Sequence, residues 1–120
     1  YDKALKNLKS SWNFDEICMT LINLGLNSLL ACNYKNAENC FNTAVSLRPT
    51  EFKAVYNRGK LRLKLDNTEG AIADLDKATS LKPEHAGAHD LFGDALLKVG
   101  KEEEAALQWR IAEEIRKKKP

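Results

Sequence analysis

Apolar and small residues recur along this chain in steps of three and four, the spacing that puts side chains on one face of an α-helix. The pattern also repeats on a larger scale. The stretch LINLGLNSLLACNYKNAENCFNTAVSLRP, Leu21 to Pro49, has counterparts in VYNRGKLRLKLDNTEGAIADLDKATSLKP and HDLFGDALLKVGKEEEAALQWRIAEEIRK. Superposed, they align Gly25 with Gly59 and Gly93, Ala37 with Ala71 and Ala105, and Ala44 with Ala78 and Ala112, each step about 34 residues, while Pro49 and Pro83 close the first two units. A glycine inside helical periodicity costs about 1 kcal/mol relative to alanine, so its recurrence marks close helix approach. Phe41, Leu75 and Trp109, each four residues beyond the first alanine, are placed to fill the space between paired helices. Turn chemistry falls at Cys32-Asn33, Asp66-Asn67 and Gly100-Lys101, and again near Arg48-Pro49 and Lys82-Pro83, which predicts two antiparallel helices per unit. One such unit cannot bury its apolar face alone, and about three stacked units form a minimal core.

The glycine, the two alanines, the large residue between them and the closing proline resemble the tetratricopeptide repeat over about residues 18 to 117. The resemblance implies an all-α fold, a right-handed solenoid of antiparallel helix pairs, with units at 18–51, 52–85 and 86–120, the last carrying an extended basic C-terminal helix. Arg58 replaces the usual Leu before the glycine, Ser28 and Arg62 replace the bulky residue three after it, and Lys117 stands where the third proline would be. Residues 1–15 are expected to be either an N-terminal helix or the remnant of a preceding repeat, with Tyr1 and Ala4 in the slots of Phe41 and Ala44, followed by an extended loop around Ser10 to Asp15.

Composition changes this picture little. A chain of 120 residues, 43% hydrophobic and 30% charged, is ordinary for one compact domain, and a net charge of +2 is too mild to indicate nucleic acid as a partner. Cys18, Cys32 and Cys40 are odd in number, with no C-x-x-C spacing, which points away from structural disulfides and zinc and toward a reducing, cytoplasmic setting. The start at Tyr1 and the lack of an apolar run of spanning length fit an excised piece of a longer soluble protein with no membrane insertion. His85 and His89 share a helical face without an H-E-x-x-H motif and read as capping or packing residues. Glu102 to Glu104 open a helix and Arg116 to Lys119 close one, as the helix dipole favours. With no nucleophile motif and no phosphate loop, neither an enzyme activity nor a cofactor or metal is expected.

The family resemblance implies that the first helix of each unit lines a concave groove. Counted from the glycines, its residues are Met19, Ile22, Asn23, Leu26 and Leu30, then Lys53, Tyr56, Asn57, Lys60 and Lys64, then Gly87, Asp90, Leu91, Asp94 and Lys98. Lys53, Asn57, Lys60 and Lys64 follow steps of 4, 3 and 4 along one stripe, whereas Arg58 and Arg62 fall on another side and pair with neighbouring helices. The expected function is that of a protein-interaction adaptor binding an extended peptide or partner helix, acidic if the lysines receive it. Some members of the family clamp the C-terminal carboxylates of heat-shock chaperones, which is the first alternative. In one frame, akin to the large immunophilin co-chaperones, Asn23 and Lys53 fit clamp positions and Asn57 replaces an arginine. In the other, Asn57 fits, but Ile22, Leu26, Gly87 and Leu91 replace clamp residues. Lost cations matter because each charge-assisted donor to a desolvated carboxylate is worth about 1.5–3 kcal/mol. A second alternative is the non-catalytic repeat part of a larger enzyme such as a prolyl isomerase. The stripe Leu107, Ile111 and Ile115 on the last helix is expected to be exposed or to meet a partner or a second copy.

Overall fold

The computed structural model describes residues 13–118, and every regular element among them is helical: α1 (Phe14–Leu30), α2 (Tyr34–Leu47), α3 (Phe52–Lys64), α4 (Thr68–Leu81), α5 (Ala86–Lys98) and α6 (Glu102–Lys118). The expectations for Tyr1 and Ala4 lie outside the described residues. Of the loop expected around Ser10 to Asp15, the described end is helical: Asn13 caps α1 by accepting from the Asp15 amide at 2.9 Å, so Phe14 and Asp15 already belong to the helix.

Helix pairs are joined by one recurring turn. Cys32, Asp66 and Gly100, spaced like the glycines, all have positive φ, at 59°, 63° and 82°. Around each, two backbone bonds close a Schellman motif. In the first, the Asn33 amide donates to the Ser28 carbonyl at 2.8 Å and Cys32 to Leu29 at 3.0 Å; in the second, Asn67 donates to Arg62 and Asp66 to Leu63; in the third, Lys101 donates to Leu96 and Gly100 to Leu97. Asn33 and Asn67 then cap the next helix, each accepting from an amide three residues on at 3.3 Å. The second turn repeats too: the Glu51 amide donates to Arg48 at 3.0 Å and the His85 amide to Lys82 at 3.1 Å.

The chain divides into two compact units between Ala54 and Val55, inside α3. In the first, α1 packs on α2. Cys18, Ile22 and Gly25 form its buried stripe on α1, and Ala37, Phe41 and Ala44, all fully buried, form the matching stripe on α2. Gly25 is required by the ring opposite: an added Cβ would lie 2.6 Å from Phe41 Cε1. Ser28, where a bulky residue was expected, is instead a polar tie, donating to the Leu24 carbonyl at 2.9 Å and accepting from Asn36 Nδ2 at 2.7 Å. Asp15 and Arg48 pair at 2.5 Å on the surface, where such a bridge contributes little.

In the second unit Ala71, Leu75 and Ala95 are the centre of a cluster completed by Tyr56, Leu63, Ile72, Leu91 and Phe92. Gly59 admits α4 closely, since a Cβ there would sit 2.9 Å from Asp74 Cβ, and Gly93 does the same for Trp109, at 2.5 Å from Nε1. Ala71→Leu is expected to overpack this cluster and cost about 1–3 kcal/mol, read as a lower urea midpoint by circular dichroism. An unchanged midpoint would remove Ala71 from the seam.

Candidate functional site

The second unit presents a face built from α3 and α5. Near the start of both helices, the Tyr56 and His85 rings meet edge to face with centroids 5.1 Å apart, and the Tyr56 hydroxyl would be 3.2 Å from a Cβ on Gly87. Burial, and then the charge of Asp90, push the Tyr56 phenol above its ordinary value, which puts Asp90 in the same neighbourhood. At the far end, Lys98 Nζ donates to Asp66 Oδ1 at 3.1 Å, just past the end of α3. The two helices therefore run side by side in the same direction.

Along this pair the expected groove residues take different roles. Lys60 and Lys64 are exposed on α3, and Asn57 is half-buried one turn before. On α5, Asp90 is half-buried and paired with Arg116, whose guanidinium it holds above its ordinary value, first through the hydrogen bond and then through charge. Asp94 is exposed, and its Oδ1 accepts from Trp109 Nε1 at 3.2 Å, an N–H that also points at the Asp90 carbonyl at 3.3 Å. Leu91 packs on the core cluster. The two arginines of α3 point elsewhere: Arg58 grips Asp74 of α4 with Nε at 3.0 Å and Nη2 at 2.8 Å, and Arg62 Nη1 reaches the same carboxylate at 3.2 Å.

In the first unit, Asn23, Leu26 and Leu30 are exposed, Leu30 at 85%, and Met19 is half-buried. Ile22 corrects the expected row. At 1% exposure it lies one turn from Cys18 and less than one from Gly25, on the buried stripe, so it belongs to the core. Without it the row reads Met19, Asn23, Leu26, Leu30, in the same 4, 3, 4 steps as the stripe on α3. Lys53 is exposed in the first turn of α3.

Both histidines have structural partners. His85 caps α5, its Nδ1 accepting from the Ala88 amide at 3.0 Å, and buried His89 lies between Gln108 Oε1 at 2.7 Å and the Pro83 carbonyl at 2.8 Å. Among the described residues no group of three or more His, Cys, Asp or Glu could hold a metal ion. Cys18 donates to the Ala44 carbonyl at 3.6 Å, and burial chiefly pushes its thiol up, away from nucleophilic use. No described helix is long and apolar enough to cross a membrane. On α6, Leu107 is 51% exposed while Ile111 and Ile115 are partly covered.

Residues 52–85 match the family model of the tetratricopeptide repeat. A Dictyostelium discoideum protein named as a STIP1 homolog is 37% identical over 73 residues, which is 61% of this chain and 13% of that protein. Among solved structures, the first repeat domain of Spaghetti (RPAP3) bound to an HSP90 peptide superposes with a TM-score of 0.82 at 20% identity, over 87% of this chain and 82% of that one. A mutant O-GlcNAc transferase from Thermobaculum terrenum superposes at 0.83 with 19% identity, over 90% of this chain and 21% of that one. At these identities the structural likeness is one of fold.

Proposed function

We propose that this chain, a tetratricopeptide-repeat domain, is a protein-interaction module that carries an extended peptide or a partner helix on the face formed by α3 and α5. The observation that carries the reading is the division of cations on α3. Arg58 and Arg62 turn toward Asp74 of α4, whereas Lys60 and Lys64 are solvent-exposed on the stripe that also holds Asn57. A helix needs no such row for its own stability, and a row of this kind suits a ligand with carboxylates. The domain itself is non-catalytic in this reading, an adaptor within a longer protein, and its three cysteines fit a reducing compartment.

The test is anisotropy titration of a labelled eight-residue Glu-containing peptide. Reversing Lys60 and Lys64 to Glu is expected to weaken binding at least tenfold and flatten its salt dependence, while reversing exposed Lys35 and Lys77 leaves it within about twofold. Binding that ignores the Lys60 and Lys64 reversals moves the site to the apolar Leu26 and Leu30 row.

The chaperone-tail clamp is a second reading, supported by the co-chaperone name of the Dictyostelium relative and by the HSP90 peptide in the Spaghetti structure. It makes a narrower demand. Amidating the terminal carboxylate of a chaperone-tail peptide should abolish binding, and Asn23→Ala and Lys53→Ala should each weaken it; indifference to amidation removes the clamp.

A further inference from the structure

One helical stripe changes character from repeat to repeat. It reads Asn39, Thr43, Leu47 on α2, Ala73, Lys77, Leu81 on α4 and Leu107, Ile111, Ile115 on α6, each 34 residues after the last. The third position is apolar throughout, whereas the first two become large and apolar on α6. Stacking of a further helix pair does not cover this stripe: α5 packs on α4, yet Ala73 and Lys77 stay exposed. A pair stacked on α6 in the same way would therefore leave Leu107 and Ile111 facing water. Leu107 is 51% exposed and the two isoleucines are half-buried. An apolar row that lies outside the stacking seam marks a contact with another molecule.

The charges beside the row point to a second copy of this chain. The first turn of α6 is acidic, Glu102 to Glu104, and its last turn is basic, Arg116 to Lys118. Arg116 is turned to Asp90, and Lys117 meets Glu113 at 3.6 Å on the exposed surface, where such a pair holds little. We infer that α6 pairs antiparallel with α6 of a second copy, across a two-fold axis at Ile111. That register sets Ile111 on its own counterpart and Leu107 on Ile115 of the second copy. It also brings Glu104 to Lys118 and, along one flank, Glu103 beside Lys117 and Arg110 beside Glu114, all of them exposed in the single chain. A parallel pair would instead set acid on acid and base on base. The 17 residues of α6 make a seam roughly 25 Å long, small for a protein interface, so the dimer is weak and exchanges readily.

Sedimentation equilibrium of the chain at low salt, from about 10 to about 500 μM, tests this. The wild type is expected to pass from monomer to dimer across that range. Ile111→Glu should raise the dissociation constant at least tenfold with helicity retained by circular dichroism. Glu103→Lys with Glu104→Lys, or Lys117→Glu with Lys118→Glu, should each do the same, because both ends of the pair then meet like charge. An equimolar mixture of those two variants should associate again, to within about threefold of the wild type, since every end then meets its opposite. Reversing all four residues should leave the chain dimeric, and energy transfer between labelled chains should show no mixed dimers with the wild type. A wild type that stays monomeric throughout, a dimer indifferent to Ile111→Glu, or a mixture that associates no better than its parts overturns the α6 pairing. Free mixing of the fourfold variant with the wild type overturns its antiparallel order. Either result leaves the peptide face on α3 and α5 standing, since the titrations above test it separately.

Discussion

Phe41→Ala is expected to cost about 3–5 kcal/mol, and Gly25→Ala to destabilise the wild-type protein yet stabilise the Phe41→Ala variant. The Phe41 ring is fully buried, and removing it leaves a cavity directly opposite Gly25. In the wild type, a methyl at position 25 would lie 2.6 Å from the ring, an overpacking that costs about 1–3 kcal/mol and outweighs the roughly 1 kcal/mol that alanine gains over glycine in a helix. Once the ring is gone the clash is gone too, while the propensity gain and some cavity filling remain. The coupling in the double-mutant cycle should therefore be about 2 kcal/mol, read from urea unfolding followed by far-ultraviolet circular dichroism. If Gly25→Ala shifts the midpoint by the same amount in both backgrounds, the glycine is not there to admit Phe41.

That pairing was legible because it repeats. Gly25 with Phe41, Gly59 with Leu75 and Gly93 with Trp109 share one period, and a small residue facing a large one leaves the same mark three times. The turns were legible by the same logic and not by residue type alone. Gly100 is an ordinary choice for positive φ, but Cys32 and Asp66 are not, and only their register with Gly100 locates them. Ile22 went astray because counting from the glycine assigns one role to position −3 in every unit. Tyr56 and Asp90, which occupy that position later, stay half-exposed through their polar ends, whereas an isoleucine has no polar end and turns fully inward. Arg58 and Arg62 were expected to leave the groove and pair with a neighbouring helix, and they do. That both converge on the single carboxylate of Asp74 depends on side-chain reach across two helices, which spacing does not encode. The same is true of Asp90 with Arg116, Asp66 with Lys98 and Asp94 with Trp109, pairs between 15 and 32 residues apart whose meeting is a product of packing.

Asp74→Ala is expected to cost about 3 kcal/mol, near the low end for breaking a buried ion pair because the arginines keep some access to water. Their side chains are 18% and 22% exposed and that of Asp74 is 5% exposed, so one carboxylate balances two cations in a place where neither is well hydrated. Its removal leaves the guanidinium groups of Arg58 and Arg62 facing each other, and Arg62 Nε is already buried with no hydrogen-bond partner among the described residues. Raising the salt concentration should recover part of the loss by screening that repulsion. Replacing all three residues by leucine should recover most of it, since an apolar cluster of similar volume needs no desolvation of charge. An Asp74→Ala protein that melts with the wild type, or a triple variant that melts lower than Asp74→Ala, would show that the cluster is not what holds α3 to α4. The outcome also bears on the binding face. Reversing Arg58 and Arg62 should weaken peptide binding only in step with lost helicity, whereas reversing Lys60 and Lys64 should weaken it at least tenfold with helicity intact; the separation of those two losses distinguishes the cations that build the unit from the cations that meet a partner.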